Sequence, residues 1–272
     1  MKNTLFKNGW AVSAMAAAAM ALSLLGAGPS AASETAQAST QKTPPASAPA
    51  AQQSTATVLW DHWYTVNVEP NYHYAYYNER VERKKGRLHV QSRMWKQEEG
   101  FINEEQLGSF SEDGPELRPI FFNFHSAYRT NEVTIDANVS GKALAVKIRQ
   151  GTQDAPPIKR VIANKDIFSS FFPVWVGIQL KAGKSRASFH AVLEDNQELA
   201  FRAVPGNIRV EKPDEFSQKS GTTKLLVDHN GLKSVWYVEN TGAATRIEMR
   251  SQHAIVEKVS EKQARAFLGE GH

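Results

Sequence analysis

The side chains that could do chemistry in this chain are few, and their spacing limits what they could do. The stretch EEGFINEE sets Glu98, Glu99, Glu104 and Glu105 close together. Paired carboxylates can cleave a glycosidic bond as acid and base when they stand roughly 5–10 Å apart. The same four acids also suit the two sides of a hairpin turning at Gly100. The eight histidines are scattered, with no HExxH and no i, i+4 pair to hold a metal from one helix face. Strands could still bring His62 and His73 near Glu98 or Glu104, but separate histidines are the simpler expectation, and no metal or cofactor is expected.

Nucleophilic and nucleotide chemistry find less support. No G-x-S-x-G elbow is present, and the S-x-x-K at Ser39–Lys42 lies in a low-complexity stretch that cannot position a base. GIQLKAGKS (177–185) has five residues between its glycines where a phosphate loop needs four, so Ala182-Gly183-Lys184 reads as a turn. With no cysteine in the chain, thiol catalysis, thiolate metal sites, disulfides and a lipidated cysteine are all excluded.

Aromatic residues make up 10% of the chain and are the strongest remaining signal. NYHYAYYNERVE (71–82) holds four tyrosines. Strict alternation would put Tyr72, Tyr74 and Tyr76 on one face and His73, Ala75 and Tyr77 on the other. Adjacent pairs such as Trp63-Tyr64, Tyr76-Tyr77, Phe121-Phe122 and Trp236-Tyr237 then require strands covered on both faces.

The elements that must position these residues are mostly strands. RLHVQSRMW alternates Leu88, Val90 and Met94 against Arg87, His89, Gln91 and Arg93, and EVTIDANV followed by Ser140-Gly141-Lys142 and ALAVKIRQG is a hairpin. Further strands fit 101–110, 120–128, 187–193, 198–204, 207–210, 223–228, 234–239 and 245–250. Turns fall at Lys85-Gly86, Asp113-Gly114-Pro115, Asp195-Asn196, Pro205-Gly206, Asn230-Gly231 and Thr241-Gly242. KDIFSSFFPVWVGIQL (165–180) lacks alternation, and Pro173 divides it into a short helix followed by an extended stretch. Ser260 and Gln263 form a capping-box signature for a closing helix. The expected fold is mainly β, a curved antiparallel sheet (half-barrel or open barrel) with one or two short helices.

The ends have a different character. Lys2 and Lys7 precede an apolar run, Ala11 to Leu25, and small-residue cleavage patterns end at Ala32 and Ala38. Residues 1–32 are read as a signal peptide, 33–57 as a disordered Ala/Ser/Pro/Gln linker, and 58–268 as a single β-rich domain. Periplasmic or secreted location follows, without a transmembrane segment in the mature chain. The net charge of +4 drops to about +2 once the two signal lysines leave, which argues against nucleic acid as a partner.

The W-Y-T-V strand, the Y-x-x-E-R-V-E-R-K-x-G-R-L-H-V hairpin, the G-K turn and the late V-W-Y-V-E-N-T-G-A-A-T-R-I-E strand pair resemble uncharacterised periplasmic half-barrel proteins. That architecture is similar to the lipoprotein carriers LolA and LolB, over roughly 58–268. The resemblance implies a non-enzymatic protein that binds an apolar small molecule or a lipoprotein acyl chain. It implies a plug or lid at 168–176 and a cavity lined by Trp63, Tyr72, Tyr74, Tyr76, Trp95 and Phe121, with Phe168, Phe172, Trp175, Phe201 and Trp236. Two alternatives stand beside it: an envelope scaffold or protein-interaction domain whose core fills itself, and a glycan or cell-wall hydrolase using Glu98, Glu104 or neighbouring acids.

Overall fold

The computed structural model describes residues 56–68, 72–98, 100–129, 131–197 and 201–268. The expected signal peptide, nearly all of the linker and the start of the strand expected from Glu198 lie outside the described residues. The first nine strands are β1 (Thr57–Val68), β2 (Tyr72–Lys84), β3 (Arg87–Glu98), β4 (Phe101–Glu112), β5 (Pro119–Tyr128), β6 (Asn131–Ser140), β7 (Ala143–Gln150), β8 (Gln153–Asp154) and β9 (Ile158–Val161). After β10 (Asp166–Phe168) and a 3₁₀ turn come helix α1 (Phe172–Lys181), β11 (Arg186–Val192), β12 (Ala203–Val210) and α2 (Glu215–Ser220). The chain ends with β13 (Thr223–His229), β14 (Leu232–Val238), β15 (Ala244–Met249), β16 (Ala254–Val259) and α3 (Glu261–Ala266). Among the described residues no helix is long and apolar enough to cross a membrane.

All sixteen strands of the described residues belong to one sheet, and β1 stands in its interior between β16 and β2. From β1 the chain meanders outward to β8, with β9 also on β7; it then starts again at the opposite edge with β10 and meanders back to β16. Neighbours are antiparallel except β10 and β11. The sheet is open and strongly curved. Phe122 of β5 and Phe168 of β10 are eleven strand steps apart along it, about 50 Å on a flat sheet, yet their rings meet at 5.1 Å.

The concave, inner face carries the core. In β3 the alternation sends Leu88, Val90 and Met94 inward, where each is 1% exposed or less, while His89, Gln91 and Arg93 point outward. Helix α1 lies against this face: Phe172 packs edge-on to Trp236 at 5.1 Å, and Phe189 lies 4.7 Å from Phe172. The helix docks on the turn between β14 and β15 by backbone contact. A Cβ on Gly242 would stand 1.8 Å from the Pro173 carbonyl oxygen, and one on Gly177 would stand 2.1 Å from the Thr241 carbonyl oxygen.

Several local expectations change. In the 165–180 segment the order is extended strand first and helix second, because Pro173 sits in the first helical turn, where its missing N–H would be unpaired anyway. Pro205-Gly206 is no turn but the middle of β12: Gly206 lies under the Phe189 ring, where a Cβ would come within 2.3 Å of ring carbon. The strand β16 and the helix α2, capped by Asp214, are additions to the expected elements. The capping box at Ser260 and Gln263 starts α3 as expected.

The tyrosine stretch departs from strict alternation. Val66 pairs with Ala75 and Asn67 with His73, so Tyr74 is an extra residue, a β-bulge. It re-aims the strand. His73 points outward with Tyr76 and stacks on Phe267 at the end of α3, 4.3 Å between rings. Tyr74, Ala75 and Tyr77 belong to the inner core.

Candidate functional site

At the end of the inner face beyond this core the same alternation places charge instead of hydrocarbon. β3 continues its inward phase from Met94 to Lys96 and Glu98, and β4 supplies Phe101, Asn103 and Glu105 opposite them. Lys96 is 1% exposed. Its Nζ lies 2.5 Å from Glu105 Oε1 and 3.4 Å from Glu98 Oε1. Glu98 also accepts from the Tyr74 hydroxyl at 3.0 Å and from the Asn103 amide nitrogen. Burial works against the Lys96 charge, but Glu105 and Glu98 outweigh it and raise its pKa. Burial also raises the Glu105 carboxyl, with Lys96 opposing. A buried ion of this kind persists only when paired.

The turn after β11 brings a second set of acids to the same face. Glu194 accepts from the hydroxyls of Ser109 (2.5 Å), Ser169 (2.8 Å) and Ser170 (2.6 Å), and from the Ser170 N–H (3.0 Å). Asp195, beside it, is 2% exposed, and neither of its carboxyl oxygens has a hydrogen-bond partner among the described residues. Burial pushes its pKa well above the usual carboxyl range, and the charges of Glu105 and Glu194 push it further. The Asn103 carbonyl oxygen is a third buried acceptor at this end without a donor among the described residues. At the same end Tyr72 and Phe101 form an exposed aromatic rim, with the Arg129 guanidinium 4.0 Å above the Phe101 ring. The arrangement can accept hydrogen bonds from a molecule that brings donors, and its rim can cover apolar atoms.

The aromatics expected to line one cavity fall into three places. Trp63, Tyr76 and Trp95 stack on the outer face, with Tyr76 and Trp95 4.9 Å apart and Trp63 and Trp95 6.2 Å apart. Arg265 of α3 and Arg93 of β3 each sit 4.8 Å from an indole at the two ends of this stack. Phe121 is also outside, beside Phe110. Phe168, Phe172, Trp175, Phe201 and Trp236 are buried inside against one another and their neighbours. Tyr72 and Tyr74 alone reach the charged end. The sheet itself separates the first group from the others, because neighbouring residues of a strand face opposite ways.

The acids separate in the same manner. Glu98 and Glu105 meet on Lys96, whereas Glu104 points outward to Arg93 at 2.6 Å. Glu98 and Glu104 therefore cannot flank one glycosidic bond. His62 contacts the Tyr64 hydroxyl at 3.3 Å, and His73 contacts the Phe267 carbonyl at 3.0 Å. Lys96 and Asn103 were visible in the sequence as polar residues in the buried phase of their strands. Asp195 gave no such signal, because its surroundings come from a strand some ninety residues earlier.

No family model matches the chain, and no curated protein matches it. Among solved structures it is similar to a DUF1089 family protein from Pseudomonas aeruginosa determined at 1.80 Å resolution. The identity is 14% over 64% of this chain and 89% of that one, with a TM-score of 0.40. This is a distant likeness between β-rich chains and carries no link to the lipoprotein carriers.

Proposed function

We propose that this chain is an exported, non-enzymatic binding protein whose ligand is an amphiphile held at the charged end of the inner face. The observation that carries the reading is the buried Asp195 carboxyl, which has no hydrogen-bond partner among the described residues, as is also true of the Asn103 carbonyl oxygen at the same end of the face. Carboxyl oxygens accept hydrogen bonds, so a hydroxyl- or amine-bearing head group suits them. Leaving such atoms unpaired costs about 1–3 kcal/mol each, a cost that a donor-bearing ligand would remove. The apolar part would lie over Tyr72 and Phe101, where each buried methylene contributes about 0.8 kcal/mol. Export is supported by the basic residues and apolar run at the N-terminus.

The self-filled packing of Phe168, Phe172 and Trp236 favours a second reading, an envelope scaffold that holds no ligand. Native mass spectrometry of the protein purified from its own envelope separates the two. Copurified lipid on the wild type, lost in Asp195→Leu, supports the binding protein. A clean apo mass, with no uptake of added envelope lipid extract, sinks it and leaves the scaffold.

A further inference from the structure

The outer face carries a recess of about 440 Å³ across β11 to β14. Two rows of side chains border it. Arg186 and Arg209 are directly opposed on β11 and β12, with Leu226 next on β13; Ser188, Asn207, Asp228 and Lys233 form the adjacent row. The short side chains of Ser188 and Asn207 leave the hollow between the two arginines and Lys233.

The charges here do not balance locally. Like charges directly opposite on neighbouring strands destabilise a sheet, and Arg186 faces Arg209 without an acidic partner of its own among the described residues. Arg209 has Glu211 at 2.6 Å. Lys233 is the cross-strand partner of Asp228, but no ion pair joins them among the described residues. The Asp228 carboxylate instead accepts from the Gly231 N–H at 3.1 Å. The hydroxyl of Ser188 and the amide of Asn207 likewise have no side-chain partner among the described residues. The recess thus gathers two guanidiniums, an ammonium, an amide and a hydroxyl, all able to donate, around one carboxylate. The three cations lie 23 and 24 residues apart in sequence, too far to register as a basic cluster before folding.

We propose that this recess binds a phosphate-type oxyanion. Guanidiniums match a tetrahedral oxyanion with paired N–H donors, and an anion between Arg186 and Arg209 would offset their mutual repulsion. Lys233 and the neutral donors close the other side. The site is on the face opposite Asp195 and does not depend on what binds there.

The test is a titration of the full chain with inorganic phosphate, followed by the backbone amide signals of Ser188 and Asn207. A saturable shift is expected below about 20 mM, weakened about tenfold or more in Arg186→Gln. Arg118→Gln, an exposed arginine elsewhere, removes the same charge and should leave binding unchanged. A non-saturating response, or equal loss in both variants, overturns the proposal. Vesicles of phosphatidylcholine with and without phosphatidylglycerol distinguish the source of the phosphate. Capture by the anionic vesicles that Arg186→Gln abolishes assigns a lipid head group. Phosphate binding without capture assigns a soluble phosphoester. Capture that Arg186→Gln leaves intact counts against the site.

Discussion

Glu79 gives the sharpest test of the inner face. It lies on β2 at 3% exposure, with Oε1 accepting from the Trp60 indole N–H at 2.9 Å. Burial raises its pKa from 4.5 to about 7, with the indole hydrogen bond partly opposing. The folded-state value is the raised one, so the penalty is absent below about pH 4.5 and grows as pH climbs through 7. A rise of that size corresponds to about 3 kcal/mol once the side chain is ionised in both states, taking 1.36 kcal/mol for each pH unit. Glu79→Gln keeps an acceptor for Trp60 and cannot ionise. Urea unfolding of both proteins from about pH 4 to pH 8 should show the variant gaining about 3 kcal/mol on the wild type across that range. In thermal melts this is about 6–12 °C for a domain of this size. Subtracting wild type from variant cancels the pH dependence of groups that do not feel the Glu79 charge. A stability difference that stays flat with pH would refute the burial argument.

Two further perturbations probe the packing. Lys96→Met should destabilise the fold by about 3–5 kcal/mol, because it leaves Glu105 buried without its cation; adding Glu105→Leu should recover much of the loss, as read by urea midpoints. Gly242→Ala should cost more than about 3 kcal/mol, since its positive φ of 95° and the Pro173 carbonyl both oppose a Cβ; a melting temperature within a few degrees of wild type would show that α1 can lift away from the turn.

Much of the sheet was legible because period two is a local signal. Leu88, Val90 and Met94 define an inward phase, and extending it by one step already sets Lys96 among buried positions. What was not legible depends on contacts distant in sequence. Pro205-Gly206 reads as a turn until Phe189 is laid across it, which requires β11 and β12 to be paired. The Tyr74 bulge follows from the seat His73 takes against Phe267, nearly two hundred residues on. Asp195 acquires meaning only when its turn meets Glu105 and Lys96 from the far half of the sheet. The hinted hairpin acids Glu98 and Glu104 were correctly placed near Gly100, but alternation put them on opposite sides.

The position of β1 in the sheet has a consequence for how the chain acquires its structure. One edge of β1 is satisfied early by β2, a hairpin neighbour. The other waits for β16, with Trp63 paired to Val259 across almost the whole folded length. Until the last strand arrives, β1 presents an open ladder edge able to pair with any extended segment. Contacts of such long sequence separation form slowly. Folding should therefore be limited by the closing of this seam, and truncation before Ala254 should make the chain prone to aggregate, as read by light scattering.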